Sequence, residues 1–215
     1  MTQVKICGLS EPETLEAALD AGADFVGFIF YAPSPRNLGL DQARLLGQQV
    51  RGRAKKVAVT VDAEDETITE IVLALAPDYL QVHGSESPGR VHQISEKFGL
   101  PVIKVVKVRA PDDVAAAAGF ADIAAFIMFD AKAPEDLANA LPGGNGVQFD
   151  WKLLTGDERQ ADFILSGGLD ADNVADAIAI TGAPIIDISS GVESTPGTKE
   201  SGLIRKFIEA VRRDG

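Results

Sequence analysis

Cys7 is the single cysteine of this 215-residue chain, and it ends the first apolar run directly before Gly8. A lone thiol is either a small core hydrophobe or a reactive group. Side chains alternate along an extended strand, so Lys5 lies on the same face as Cys7. The position at a strand end favours reactivity only if other strands end in residues that complete an active site.

Polar or titratable side chains also end several later apolar runs. Gln81 and His83 end one run, Asp130 ends another, and Ser166 and Asp187 stand at the ends of the last two. Asp130 is a candidate proton donor, with a cap or a salt bridge as its structural alternative. His83 either binds substrate or satisfies a hydrogen bond in the core.

Two short glycine and serine runs follow the last two predicted strands. Glycine lets backbone N–H groups approach an anion, and phosphate sites are commonly built from such loops at the end of a barrel. Both runs occur where such a barrel would place them. The predicted phosphate-binding residues are Gly167, Gly168, Ser189, Ser190 and Gly191.

Arg36 lies in a loop that Pro33 and Pro35 stiffen. A guanidinium restrained in this way can present its fork to a carboxylate, although an exposed surface arginine is the simpler interpretation. Neither His83 nor His92 has a carboxylate or cysteine at metal-ligand spacing, so we predict no metal site.

Short β-branched runs alternate with helix-period stretches along the whole chain, which indicates about eight βα units. This is the count of a (β/α)8 TIM barrel, and an open doubly wound sheet is the alternative. We predict one domain, residues 1–215, with a weak or irregular sixth helix at 135–141. The predicted strands are 4–7, 24–30, 56–62, 79–83, 102–108, 125–130, 163–166 and 185–189.

The formal net charge is −12, which argues against nucleic acid as a partner. The most apolar stretch, residues 115–129, is too short to cross a bilayer, so no membrane association is expected. With one cysteine and no leader pattern, the cytoplasm is the expected compartment. A monomer is the default, and a homodimer is left open.

Seven motifs follow one another over nearly the whole chain, and each is weak by itself. They contain Lys5-Ile6-Cys7-Gly8, Gly27-Phe28, Gln81-Val82-His83-Gly84, Asp130-Ala131-Lys132, Gly143-Gly144-Asn145-Gly146, Ser166-Gly167-Gly168 and Asp187-Ile188-Ser189-Ser190-Gly191. In this order they make the chain resemble the phosphoribosylanthranilate isomerase family of tryptophan biosynthesis.

The resemblance implies a barrel that carries out an Amadori rearrangement without cofactor or metal. N-(5-phosphoribosyl)anthranilate, an aminoaldose phosphate, becomes 1-(2-carboxyphenylamino)-1-deoxyribulose 5-phosphate. Cys7 matches the family's general base, Asp130 its acid, Arg36 the group that binds the anthranilate carboxylate, and Asp187 a residue that orients the sugar. Lys5 is expected to favour the Cys7 thiolate. We also assign Lys5, Gln81 and His83 to substrate binding.

Two alternatives stay open beside the single-substrate isomerase. A dual-substrate aminoaldose-phosphate isomerase usually has aspartate in the base position, so Cys7 argues against it. A non-enzymatic sugar-phosphate-binding barrel would keep the phosphate loops but would not need an acid and a base. An indole-3-glycerol-phosphate synthase needs lysines and a glutamate at strand ends, where this chain has Cys7 and Asp130.

Overall fold

Eight parallel strands close into a barrel in chain order, with the last strand hydrogen-bonded back to the first. The computed structural model describes residues 1–133, 141–155 and 163–213. The prediction of a (β/α)8 barrel is confirmed, and the open sheet is wrong. The strands are β1 (Gln3–Cys7), β2 (Phe25–Phe30), β3 (Lys55–Thr60), β4 (Tyr79–Val82), β5 (Val102–Val108), β6 (Phe126–Ala131), β7 (Phe163–Leu165) and β8 (Ile185–Ile188).

Helices surround the barrel, and none of those described is long and apolar enough to cross a membrane. The residues of the predicted sixth helix, 135–141, lie outside the described part apart from Leu141. The helices in the described ranges are α1 (Pro12–Asp20), α2 (Leu40–Val50), α3 (Asp65–Leu75), α4 (Pro88–Phe98), α5 (Pro111–Ala115), α6 (Val174–Thr181) and α7 (Ser201–Arg213).

A hairpin that the sequence pattern does not predict precedes the last helix. The pattern predicts a helix from residue 199, but Lys199 belongs to an antiparallel hairpin of β9 (Glu193–Thr195) and β10 (Thr198–Lys199). Gly197 makes the turn with φ of 90°, a conformation that favours glycine. The hairpin places Lys199 and Glu193 opposite each other, next to the end of β8.

The inward side chains change from apolar to polar along the barrel axis. At the amino ends of the strands, the Tyr79 ring lies 5.8 Å from the rings of both Phe25 and Phe126. Aliphatic side chains fill the next level, including Val57, Ile103, Met128, Ile164 and Ile185. Buried polar groups need hydrogen-bond partners, so the polar residues at the carboxyl ends must be matched to one another. Those residues are Lys5, Gln81, Asp130, Ser166 and Asp187.

A buried ion pair outside the barrel holds the loops that follow β3 and β4. Lys104 Nζ lies 2.7 Å from Glu86 Oε2 and donates to the Gly84 carbonyl at 2.9 Å. Glu86 Oε1 accepts hydrogen bonds from the backbone amides of Asp62 and Gly84. Gly84 directly follows His83, so this pair fixes the chain at the point where a predicted site residue leaves the barrel.

We expect Glu86→Gln to lower the free energy of unfolding by about 3–5 kcal/mol, because it leaves the Lys104 ammonium buried without a counter-charge. Burial raises the pKa of Glu86, but Lys104 and the backbone amides lower it below its ordinary value. The carboxylate therefore stabilises the fold above the ordinary glutamate pKa, and this contribution disappears as pH falls through the lower folded value.

Urea unfolding of both proteins near neutral pH and in acid tests this expectation. The difference between wild type and Glu86→Gln should shrink as the pH falls. A difference that stays constant into acid would contradict it. Glu209→Gln is the matched control, because its partner Arg213 and Glu209 itself are both about two-thirds exposed.

Candidate active site

The carboxyl ends of the barrel strands enclose a pocket that brings the predicted site residues together. Lys5 is the exception, because it lies fully buried beneath the pocket. The predicted residues that line the pocket are Cys7, Arg36, Gln81, His83, Asp130, Gly167, Gly168, Asp187, Ser189, Ser190 and Gly191.

An ion pair joins β1 and β8 under the pocket floor. Lys5 Nζ lies 2.6 Å from Asp187 Oδ1, and the two residues are register partners. Ser166 Oγ donates to Asp187 Oδ2 at 3.0 Å, so both carboxylate oxygens are engaged. Burial lowers the pKa of Lys5, but Asp187 and Cys7 raise it above the ordinary value. Lys5 is therefore an ammonium ion directly below the thiol.

The electrostatics of Cys7 differ from the sequence-based expectation. Burial raises the pKa of the Cys7 thiol, Lys5 lowers it, and Asp187 raises it again, with a net increase over the ordinary value. Lys5 does favour the thiolate, as predicted, but burial has the larger effect. The thiol form is thus the stable one in this structure.

Gly27 on β2 makes room for this arrangement. A Cβ atom at this position would lie 2.8 Å from Cys7 Sγ and 3.2 Å from Lys5 Nζ. It would also lie 3.1 Å from the Cys7 Cα, which belongs to the paired backbone of β1 and cannot easily move. Only glycine lets the thiol and the ammonium occupy their observed positions.

On the far side of the pocket, three side chains form a hydrogen-bonded row. Gln81 Nε2 lies 3.4 Å from His83 Nδ1, and His83 Nε2 lies 3.2 Å from Asp130 Oδ2. An amide nitrogen only donates, so Nδ1 accepts and Nε2 carries the proton that points to Asp130. The Ala131 amide donates to the other oxygen, Oδ1, at 3.0 Å. Asp130 is therefore buried, with His83 and the Ala131 amide as its hydrogen-bond partners.

The Gly143-Gly144 backbone lies directly against these side chains. A Cβ at Gly143 would lie 2.5 Å from His83 Cε1 and 3.0 Å from Asp130 Oδ2. At Gly144 it would lie 2.5 Å from Arg36 Nη1. The loop after β6 therefore packs its bare backbone against the candidate acid and the candidate carboxylate-binding group.

Arg36 is buried, so the alternative of an exposed surface arginine is wrong. Its Nε and Nη2 atoms each lie 2.7 Å from an oxygen of Glu193, and Nη2 also lies 3.3 Å from the Gly144 carbonyl. The expected open fork is therefore occupied by Glu193. Among the described residues, Nη1 has no hydrogen-bond partner, and this atom remains for a ligand in the pocket.

The two predicted phosphate loops meet at one end of the pocket. Gly167 and Gly168 have φ of 94° and 62°, which only glycine adopts readily. Their amides and that of Gly191 donate no hydrogen bond to any described residue. Unpaired amides on adjacent loops are a suitable setting for an anion. In the described ranges, no three His, Cys, Asp or Glu side chains are grouped as metal ligands would be.

Comparison with known proteins covers nearly the whole chain. The family model of N-(5'-phosphoribosyl)anthranilate (PRA) isomerase matches residues 4–210. The chain belongs to the PRA isomerase family. Its members are isomerases of tryptophan biosynthesis that interconvert an aldose and a ketose, and the predicted family and activity are confirmed.

Relatives named N-(5'-phosphoribosyl)anthranilate isomerase are similar over most of their lengths. The protein from Bradyrhizobium sp. (strain ORS 278) is 56% identical over 209 residues, which are 97% of this chain and 94% of that protein. The protein from Rhodopseudomonas palustris (strain ATCC BAA-98 / CGA009) is 53% identical over 211 residues, 98% of each.

Solved structures agree with the family. Phosphoribosyl anthranilate isomerase from Thermotoga maritima superposes with a TM-score of 0.88 at 33% identity, over 99% of this chain and 100% of that one. A second crystal structure, of a phosphoribosyl anthranilate isomerase in complex with reduced 1-(o-carboxyphenylamino)-1-deoxyribulose 5-phosphate, gives 0.86 at 31% identity with the same coverage.

Within this member of the PRA isomerase family, Glu193 and Lys199 are buried charged residues that hold Arg36 and that the sequence pattern does not predict. Glu193 holds Arg36, and Lys199 Nζ lies 2.6 Å from Glu193 Oε1. The neighbours of Lys199 fit a helical period, so the sequence pattern predicts that this residue belongs to the last helix. The Pro196-Gly197 turn between short Thr-containing runs was the available signal for a hairpin.

Gly27→Ala should reduce kcat at least tenfold while the protein stays folded, because the new methyl group displaces Cys7 Sγ or Lys5 Nζ. Displacement of a reacting group by about 1 Å can reduce a rate by two orders of magnitude. Steady-state kinetics and thermal unfolding measure both effects. Gly39→Ala is the control, since its Cβ would meet nothing within 4 Å. Full activity in Gly27→Ala would contradict the role given to this close contact.

Proposed function

We propose that Cys7 and Asp130 are the base and the acid of the family's isomerisation in this chain. The observation that carries the proposal is a buried thiol on β1 and a buried carboxyl group on β6 that line the same pocket. Each has its own partner, Lys5 for the thiol and His83 for the carboxyl group. General acid and base steps need two such groups on different sides of a substrate.

In the first step, Asp130 donates a proton to the furanose ring oxygen while the bond from that oxygen to C1′ breaks. The lone pair of the anilino nitrogen forms the C1′=N bond, which gives a cationic Schiff base. Asp130 becomes a carboxylate, and hydrogen bonds from His83 Nε2 and the Ala131 amide stabilise it. Because Gln81 Nε2 donates to Nδ1, His83 keeps its proton on Nε2 and can donate it in a hydrogen bond to Asp130.

In the second step, the Cys7 thiolate removes the proton from C2′. The electrons of the C2′–H bond form the C1′=C2′ bond, and those of C1′=N return to nitrogen, which gives an enolamine. Loss of the enol proton and protonation at C1′ give the ketone. The cationic Schiff base and the Lys5 ammonium both favour the thiolate and offset the effect of burial.

The pocket supports binding of both anionic ends of the substrate. The unpaired amides of Gly167, Gly168 and Gly191 suit the phosphate, together with Ser189 and Ser190. Arg36 Nη1 suits the carboxylate. Gln81 Oε1 is buried without a partner among the described residues, so it can accept a hydrogen bond from a substrate hydroxyl or amine.

The proposal also covers the cellular compartment and the oligomeric state of the enzyme. A chain with one buried cysteine suits a reducing compartment, so we place the activity in the cytoplasm. We also keep the monomer that the sequence favours as the proposed oligomeric state. Light scattering at micromolar concentration measures the mass directly, and a dimeric mass would overturn this part.

Cys7→Ser and Asp130→Asn should each lower kcat by about two to four orders of magnitude, the usual contribution of a positioned base or acid. The fluorescence change of the anthranilate group follows turnover. Both variants should still bind the reduced product analogue, because neither residue belongs to the predicted phosphate or carboxylate site. Near-normal turnover in either variant would exclude the role given to that residue, and binding without turnover by the wild type would favour a sugar-phosphate-binding protein.

Lys5→Met should move the rise of kcat/KM with pH to higher pH. Lys5 lowers the pKa of Cys7, so its removal raises that pKa, and the active thiolate then forms only at higher pH. Because Cys7 is the only cysteine, the rate of its alkylation by iodoacetamide against pH reports the same titration directly. Lys5→Arg keeps the charge and should restore most of the original profile. Identical profiles in wild type and Lys5→Met would refute this influence.

A further inference from the structure

We propose that Lys199 is a positioning residue that organises both anion-binding ends of the pocket, the phosphate loop through Ser189 and the carboxylate group through Glu193 and Arg36. The inference rests on the proposed function for the identity of the two anions. It assigns a task to a buried lysine that the acid and base steps do not use.

The contacts of Lys199 leave no proton of its ammonium group unused. Nζ lies 2.9 Å from the Ser189 carbonyl, 3.1 Å from Ser189 Oγ and 2.6 Å from Glu193 Oε1. Its side chain is 1% exposed. Ser189 is the first residue after β8 and lies in the predicted phosphate loop, so the ammonium fixes that loop from below.

Glu193 transmits the position of Lys199 to Arg36. Its Oε1 lies close to both Lys199 Nζ and Arg36 Nε, while Oε2 accepts from Arg36 Nη2 and from the Gly197 amide at 3.2 Å. Burial raises the pKa of Glu193, but Arg36 and Lys199 lower it below its ordinary value, so it is a carboxylate. Glu193 thereby holds the Arg36 guanidinium in one orientation, and Nη1 stays available to a ligand.

The charges of this cluster indicate that it is built for anions. It contains two cations and one carboxylate, all with side chains at most 4% exposed, so one positive charge is not balanced within it. Burial and Arg36 lower the pKa of Lys199, while Glu193 raises it. An anion at either end of the cluster would complete the pairing that buried charges require.

This arrangement makes the two ends respond differently to two substitutions. Glu193→Gln removes the group that holds Arg36 but leaves Lys199 in contact with Ser189. Lys199→Met removes the support of Ser189 and also one of the two cations on Glu193. The first change should therefore affect the carboxylate end, and the second should affect both ends.

Two measurements separate the ends. The first is the ratio of kcat/KM for N-(5-phosphoribosyl)anthranilate to that for N-(5-phosphoribosyl)aniline, which lacks the carboxylate. Both values come from one protein sample, so the ratio does not depend on the folded fraction. The second is the Kd of inorganic phosphate by titration calorimetry. Arg36→Met gives the reference ratio for a lost carboxylate contact.

In Glu193→Gln the ratio should fall about tenfold or more, to near that of Arg36→Met, with the phosphate Kd changed less than threefold. In Lys199→Met the ratio should fall and the phosphate Kd should rise, each by about tenfold. Lys206→Met is the matched control, because its ion pair with Asp172 is exposed. It should change neither quantity.

An unchanged ratio or an unchanged phosphate Kd in Lys199→Met would overturn the inference. A lysine with only a structural role would alter stability but leave the kcat/KM ratio and the phosphate Kd at their wild-type values. Lack of turnover by the wild type would be a failure of the proposed function instead. In that case the phosphate Kd of Lys199→Met against that of Lys206→Met still decides the role of Lys199 at the phosphate loop.

Discussion

The Lys5–Asp187 ion pair is the interaction on which the rest of the site depends. A closed parallel barrel directs alternate side chains into a space without water, so a charge placed there must be matched by its neighbours. Lys5 and Asp187 are register partners on β1 and β8, where the barrel closes. Their pairing permits an ammonium ion beneath Cys7, and it also fixes Asp187 at the pocket floor. Loss of either partner would leave an uncompensated charge below the reacting thiol.

The remaining buried charges follow the same rule but serve different ends of the pocket. Asp130 is matched by hydrogen bonds from His83 and the Ala131 amide, which would stabilise the carboxylate left by the proposed proton donation. Arg36 and Lys199 share Glu193 and remain one positive charge in excess. The proposed acid and base therefore have their charges matched, whereas the cluster of Arg36, Glu193 and Lys199 does not. Matched charges suit groups that exchange protons. An unbalanced positive charge suits a site that receives an anion.

Strand order, strand ends and most site residues could be predicted from the sequence because each depends on local pattern. Apolar runs followed by Cys7, His83, Asp130 or Asp187 place those side chains at one end of any parallel barrel. The partners could not be predicted in this way. Glu193 meets Arg36 across 157 positions of the chain, and Lys199 meets Glu193 because Gly197 turns a hairpin ahead of α7. The pKa of Cys7 also depends on how deeply the thiol is buried, and the alternation of side chains along β1 does not indicate this.

Close backbone contact explains why glycine accompanies the reactive side chains. Cys7 and Lys5 fit only because Gly27 has no Cβ, and His83, Asp130 and Arg36 are covered by the bare backbone of Gly143 and Gly144. Side chains at these positions would compete for the space that buried charges and their partners occupy. Burial of these side chains strengthens each electrostatic contact between them, and burial also raises the pKa of the Cys7 thiol. In the proposed mechanism, Cys7 therefore acts as a base only after a positively charged intermediate has formed beside it.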